Sequence, residues 1–273
     1  MDATSGESGH LMLITPERVF YAGLLGRPRE RCPGAFHIYV SIEGRLWLTA
    51  ADGRASSGEL VAVPANLRHS IVSDHRSVIC LVIEPESVRA GALEALALRL
   101  QGSERDFFVR RIRAAHGQLR QRPHRDGMTA AEFDRLCFGE ALPPRQLDPR
   151  VTRAITRIVR FAGEPVTAAG CAVEARLSAS RFLHLFKQET GIAFRAFRAW
   201  KRARHLLHFA NQNVNLAHLA QDIGYPDSSH FSHSIRRFYG LKPRVIFSGS
   251  RDLAIYRSGR AVSGDSAWTQ EAR

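Results

Sequence analysis

Apolar residues change their spacing twice along this chain. From Ala35 to Pro85 they come in short alternating or continuous runs, as in Arg45-Leu46-Trp47-Leu48-Thr49 and Leu60-Val61-Ala62-Val63, broken by Glu43-Gly44, Asp52-Gly53, Ser57-Gly58 and Pro64. Runs of that length between such breakers predict strands, and Asp52-Gly53 predicts a tight hairpin. From Glu86 the period becomes helical, with Val88, Ala92, Leu96 and Leu100 on one face. Phe107 to Leu119 and Ala130 to Cys137 predict two more helices, the latter opened by the capping-box pattern Thr129-Ala130-Ala131-Glu132. Such stripes suit a dimer seam and suit packing back on the strands equally well.

Gly139 to Gln146 contains Pro143-Pro144 and predicts a linker, after which Asp148-Pro149 places an N-cap and a first-turn proline at the start of a new domain. Its first helix has one apolar stripe, Val151, Ile155, Ile158, Val159 and Ala162. The remainder of this domain is a single unit that occurs twice. Phe182, Phe186, Gly191 and Arg195 recur as Phe231, Ile235, Gly240 and Arg244 at a constant offset of 49, whereas Ala172 and Leu177 recur as Ala220 and Tyr225 at 48. A register change confined to one turn means one helix-turn-helix built twice. Thr167, Ser178, Asn215 and Asp227 are the predicted helix caps, and Gly224 the turn residue that takes positive φ. A long amphipathic helix from about Phe194 to Phe209, carrying Phe197, Trp200 and Leu207, connects the two units.

With Phe182, Leu185 and Phe186 turned inward, Ser180, Leu183, His184 and Lys187 face outward in the first unit. With Phe231, Ile235 and Phe238 inward, Ser228, Ser229, Ser232, His233, Arg236 and Arg237 face outward in the second. Charge gives these faces a meaning. The chain carries +13, yet residues 1–100 hold 10 basic against 11 acidic residues, while residues 145–250 hold 17 against 6. A basic domain joined to a near-neutral one is the electrostatic footprint of nucleic-acid binding. Arginine outnumbers lysine 36 to 3, and a genome-wide bias would not concentrate the excess in one region.

Other classes fall away. The longest apolar run, Val78 to Ile83, is far below a bilayer span, and Met1 to Gly9 is small and polar, so the expected location is the cytoplasm, away from any membrane. Cys32, Cys80, Cys137 and Cys171 are scattered with no C-x-x-C pair, which fits reduced thiols. The tail beyond Ser248 is rich in Ser, Gly and Arg without periodicity; little order is expected there, Trp268 notwithstanding.

Residues 149–247 resemble the C-terminal DNA-binding domain of the AraC/XylS family of bacterial transcription regulators. The resemblance lies in Leu177-Ser178 with Phe182, Leu185 and Phe186-Lys187, in Glu189-Thr190-Gly191, and in Ala203 with Leu206-Leu207. Its most specific part is Ala220-x-x-Ile223-Gly224-Tyr225 leading to Ser229-His230-Phe231 and Gly240-x-x-Pro243. It implies that Ser180, Leu183 and His184, and then Ser228, Ser229 and His233, face base edges in the DNA major groove. Three positions depart from the pattern: Arg176 where the first turn often has Gly, Ala199 where the connecting helix commonly has Arg, and Ile235 where Phe is usual. A positive φ at Arg176 would cost about 1 kcal/mol.

Residues 30–85 resemble a cupin barrel, through Gly58, Pro64 and His69 of its second motif and Glu43-Gly44 at the end of its first. Metal-dependent cupins use a His-x-His pair and a carboxylate plus a further His; here only His37, Glu43 and His69 are available. That incomplete set favours a metal-free barrel in which His69 is structural or touches a ligand, with no cofactor.

The expected architecture is therefore α+β: a cupin-like sensing or dimerisation domain (residues 1–85), connecting helices (86–138), a linker (139–147), an all-α domain with two helix-turn-helix motifs (148–248) and a flexible tail (249–273). The expected function is sequence-specific transcription regulation without catalysis. Double-stranded DNA, a small-molecule effector, a second copy of the chain and, for an activator, RNA polymerase are the expected partners. A cupin enzyme with an appended DNA-binding domain is the alternative.

Overall fold

The computed structural model describes residues 9–121, 128–160 and 166–257. Eight strands open the chain: β1 (Leu11–Ile14), β2 (Arg18–Leu24), β3 (Phe36–Ser41), β4 (Leu46–Ala50), β5 (Ala55–Gly58), β6 (Leu60–Val63), β7 (His69–Ser73) and β8 (Ser77–Ile83). They form one sheet in the order β6-β3-β8-β2-β1 and a smaller one in the order β5-β4-β7. The predicted hairpin joins β4 to β5, with Ala50 N donating to Arg54 O at 2.8 Å and Gly53 at φ 85°.

The large sheet is covered on both faces. Every residue of β3 and β8 is buried, which explains why Val78 to Ile83 is a continuous apolar run instead of an alternating one. Leu13, Phe20, Ile38, Val40, Ile79 and Leu81 face the helices α1 (Ala92–Gln101), α2 (Arg105–Gln121) and α3 (Ala130–Phe138), whose Leu96, Leu100, Phe108, Ile112 and Phe133 complete that core. The stripe open to two uses thus packs back on the strands. Thr129 and Glu132 form the capping box at the start of α3. Buried Arg18 grips Asp134 of α3 bidentately, at 2.7 and 2.8 Å.

The segment Gly139 to Gln146 is more than a spacer: it lies hydrogen-bonded along the barrel. Arg89 N donates to Pro143 O at 2.8 Å, Arg145 N to Ser87 O at 3.2 Å, and Leu142 N to Asp134 Oδ2 at 3.1 Å. Beyond it come α4 (Pro149–Arg160), α5 (Ala168–Glu174), α6 (Ala179–Thr190), α7 (Phe194–His205), a single 3-10 turn through Phe209, α8 (Leu216–Asp222), α9 (Ser228–Tyr239) and α10 (Pro243–Gly249). Val151 and Ile158 of α4 are buried and Ile155 and Val159 half-buried; Ala162, also assigned to that stripe, lies outside the described residues. The tail departs from expectation. Ala254–Arg257 form β9, paired parallel to β1 on the edge of the large sheet, while Trp268 lies outside the described residues.

The inner face of the barrel is closed by the helical domain itself. Met12, Tyr39, Leu46, Ile71, Cys80 and Val82 share one core with Trp200, Ala203, Leu206, Leu219, Phe231 and Phe238. Among the described residues only the first helix-turn-helix has a core of its own, built on Val151, Phe182, Phe186, Phe194 and Phe197.

Candidate nucleic-acid interface

Each unit is assembled from local chemistry that its sequence specifies. In the first, Thr167 Oγ1 accepts from Gly170 N at 3.1 Å and Ser178 Oγ from Arg181 N at 3.3 Å, satisfying amides that a helix start leaves unpaired. In the second, Asn215 Oδ1 accepts from Ala217 N and His218 N, and Asp227 Oδ1 from Ser229 N and His230 N at 2.8 Å. These amides and the His230 ring hold the Asp227 carboxyl below the usual aspartate range. The turns match as well. Leu177 N donates to Ala172 O at 2.9 Å and Tyr225 N to Ala220 O at 2.8 Å, the same bond one repeat apart. Gly224 stands at φ 82° and Arg176 at φ 54°, so the first turn does require the left-handed region that arginine occupies at a cost.

Behind α6 the rings of Phe182, Phe186, Phe194 and Phe197 meet edge-on or tilted, with Phe186 5.1 Å from Phe194 and 5.2 Å from Phe197. Behind α9, Phe231 packs on Tyr225 at 5.3 Å, and the Tyr225 hydroxyl is 2.9 Å from Ser234 Oγ. With those faces buried, Ser180, Leu183, His184 and Lys187 are exposed on α6, and Ser228, Ser229, His233, Arg236 and Arg237 on α9; Ser232 is half-buried. Arg181 and Gln188 also stand exposed on α6, and the apolar pattern alone did not single them out. Among the described residues Arg181, Lys187, Arg236 and Arg237 are paired with no carboxylate, in contrast to Arg54, Arg68, Arg99 and Arg113 of the barrel and its helices.

A second feature has no counterpart in the hydrophobic pattern. Glu84, directly after β8, is fully buried and meets one N–H donor and two cations of α7. Lys201 Nζ lies at 2.6 Å, Trp200 Nε1 donates at 3.0 Å, and Arg204 Nε lies at 2.8 Å, an ion-pair distance at an angle too oblique for a hydrogen bond. Lys201 also pairs with Glu86, whose carboxyl burial pushes upward against the pull of that lysine. Arg204 Nη2 donates to Thr15 O at 2.5 Å. The barrel also reaches the C-terminal end of α9. Cys32 N donates to Arg237 O and Arg29 N to Gly240 O, at 2.8 and 2.9 Å. Gly240 is at φ 71°, and a Cβ there would collide with Arg29 O. The sequence signal for the Glu84 contact was slight: an acid directly after an apolar strand, and two cations three residues apart beside a tryptophan.

The three candidate ligands of the barrel do not form one site. Glu43 is exposed in the turn after β3, whereas His37 is buried with Nδ1 2.9 Å from Ala35 O. His69 is buried with Nδ1 2.9 Å from Leu67 O and Nε2 3.4 Å from the Tyr39 hydroxyl. Burial lowers His37 to about 3 and His69 to about 4, so both are neutral at pH 7. Among the described residues no group of three His, Cys, Asp or Glu side chains is placed to hold a metal.

Known proteins offer three comparisons. Residues 171–248 match a family described as a helix-turn-helix domain. Over 111 residues the chain is 32% identical to the HTH-type transcriptional activator RhaS of Escherichia fergusonii, an alignment covering 40% of this chain and 39% of that protein. The chain thus spans about two fifths of the length of that relative. Its fold is similar to that of ToxT from Vibrio cholerae O395, with a TM-score of 0.55 at 11% identity over 86% of this chain and 98% of the other. Against ToxT of strain SCE256 bound to an unsaturated fatty acid the TM-score is 0.51 at 13% identity, over 85% and 95% of the two chains.

Proposed function

We propose that this protein is a sequence-specific transcription regulator, with a C-terminal double helix-turn-helix reader of the AraC/XylS type and a barrel that governs how α6 and α9 are presented to DNA. The observation that carries the reading is the pair of reading helices. Each is capped, backed by an aromatic or aliphatic core, and fronted by small polar residues, a histidine and unpaired cations. Bidentate and single hydrogen bonds from such side chains discriminate base edges, while the cations neutralise phosphates. The cupin-enzyme alternative has no comparable support, because Glu43 is remote in environment from buried His37 and His69.

The test separates the two kinds of residue. His184→Ala and His233→Ala are each expected to change the preferred base at one position and to cost about 1–3 kcal/mol on the best site. Arg236→Ala and Arg237→Ala are expected to weaken all sequences alike and to reduce the salt dependence by about one phosphate contact. Footprints should show two major-groove segments on one face, about 34 Å apart. Protection of a single segment, or arginine variants that alter base preference while the histidine variants do not, would overturn the assignment.

The same reading covers the partners. The related fold of ToxT holds an unsaturated fatty acid, which supports a small-molecule effector here, in a protein acting in the cytoplasm. Two copies on a paired operator and, for an activator, contact with RNA polymerase complete the proposal. Sedimentation with and without a two-half-site duplex tests the pairing.

A further inference from the structure

A groove of about 550 Å³ opens on the second helix-turn-helix, and its apolar lining residues pack against the core shared with the barrel. Its walls come from two places in the chain: the loop Asn211–Asn213 leading to the first residue of α8, and α10 with the turn that succeeds it. The floor is apolar, made by Val214, Leu216 and Phe247, and the rim carries the exposed guanidinium groups of Arg244 and Arg251. No Asp or Glu lines it. Among the described residues neither arginine is paired with a carboxylate.

From this we infer that the groove is a binding site for an amphipathic organic anion, a carboxylate or sulfonate with an apolar body, held by Arg244 and Arg251 over Val214, Leu216 and Phe247. The volume lies inside the range of small-molecule sites, roughly 300–1,000 Å³, and their usual lining is an apolar floor with a few polar groups. The charge is one-sided, and guanidinium groups match a carboxylate in planar, two-point fashion. A DNA phosphate would also suit two arginines, but it needs neither concavity nor an apolar floor. The location gives the site a consequence. Asn211 Nδ2 donates to Leu253 O at 2.9 Å, and Leu253 leads directly into β9 on the edge of the barrel sheet. A ligand spanning the groove therefore ties the approach to α8 to the strand that anchors this unit on the barrel. Only that consequence for DNA rests on the regulatory reading; binding itself does not.

Titration of the full chain with 8-anilinonaphthalene-1-sulfonate, followed by fluorescence, and competition by decanoate test the site without DNA. Saturable binding is expected, with displacement by decanoate and little displacement by decanol. The exposed double substitution Arg244→Gln/Arg251→Gln should weaken binding at least tenfold, and Ser248→Trp should block it by filling the groove, both with unchanged melting temperature. Full binding by both variants places the probe elsewhere and overturns the inference, as does absence of binding to the wild type at millimolar probe. If the double variant keeps probe binding but loses DNA affinity with a salt slope lower by about two contacts, the arginines serve the phosphate backbone, and the ligand site is refuted while the regulator reading stands.

Discussion

Replacing Glu84 by Gln tests how the barrel and the reader are held together. The substitution keeps size and a hydrogen-bonding end group but removes the charge that faces Lys201 and Arg204, which are 3% and 8% exposed in their side chains. Glu86 alone then remains to offset two buried cations. Removing one partner of a buried ion pair costs about 3–5 kcal/mol, because the remaining charge is left uncompensated away from water. Against a total stability of about 5–15 kcal/mol, that is a substantial fraction. The exposed pair Arg68–Glu30, at 58% and 46% exposure, provides the control: Glu30→Gln should cost under about 1 kcal/mol.

Urea unfolding of the full chain, followed by circular dichroism and tryptophan fluorescence, gives both numbers. The Glu84→Gln loss should persist in 0.5 M salt, since a pair shielded from solvent is little screened, whereas the control difference should shrink. Adding Lys201→Met to Glu84→Gln should restore part of the loss, giving a double variant less destabilised than the sum of the singles. A Glu84→Gln cost no larger than the Glu30→Gln cost would refute the view that this contact binds the two halves.

Arg176→Gly should stabilise the chain by up to about 1 kcal/mol in the same unfolding experiment, because Arg176 stands at φ 54°; a loss of stability would mean its side chain matters more than its backbone. Burial lowers His37 and His208 to about 3 and His69 and His205 to about 4. Unfolding lets each take up a proton below about pH 6.5, so this stability is retained above that pH and is lost as pH falls from there towards about 4 for His69 and His205 and towards about 3 for His37 and His208. Flat stability from pH 7 to 5 would show that these rings are solvated. The fragment Asp148–Ser248, which the repeat alone would suggest folds unaided, should protect amides of α4 to α6 from hydrogen exchange more strongly than those of α8 and α9, since Trp200, Leu206 and Phe238 lose their barrel partners. Equal protection in both units would contradict the shared core.

Most of the reader was legible because its determinants are local. Caps at Ser178, Asn215 and Asp227, the φ requirement at Gly224 and the i, i+3, i+4 spacing of Phe182, Leu185 and Phe186 act within a few residues, so its helices could be placed from pattern, whereas β1 and β2, ahead of the stretch read as strands, were not. Contacts between distant segments left weaker traces. Glu84 and α7 are more than 100 residues apart, and nothing in either segment names its partner. Trp200 fits any amphipathic helix, yet it fills a place beside Gly34, where an added Cβ would lie 2.5 Å from its ring. Ala254–Arg257 is too short to show a period; it becomes a strand because β1 offers an open edge. The Gly139–Gln146 segment looks like a spacer in composition, but its carbonyls and amides are taken up by Ser87, Arg89 and Asp134.

These distant contacts change what regulation requires. A reader joined to its barrel by a free linker would be controlled by local concentration, so linker length would set the response. Here α7 instead contributes Phe194 and Phe197 to the first unit and Trp200 and Ala203, with Leu206 of the turn that follows, to the core shared by the second unit and the barrel. The two reading helices are thus oriented by one helix, half of which the barrel grips through Glu84. A ligand can shift that arrangement only by the difference in its affinity for two states of the contact. Breaking the Glu84 cluster is costly, so a ligand of ordinary affinity achieves more by moving α7 with its partners intact than by releasing it. On the proposed regulatory reading, with α6 and α9 meeting successive grooves, that inequality predicts control by reorientation of α9 against α6.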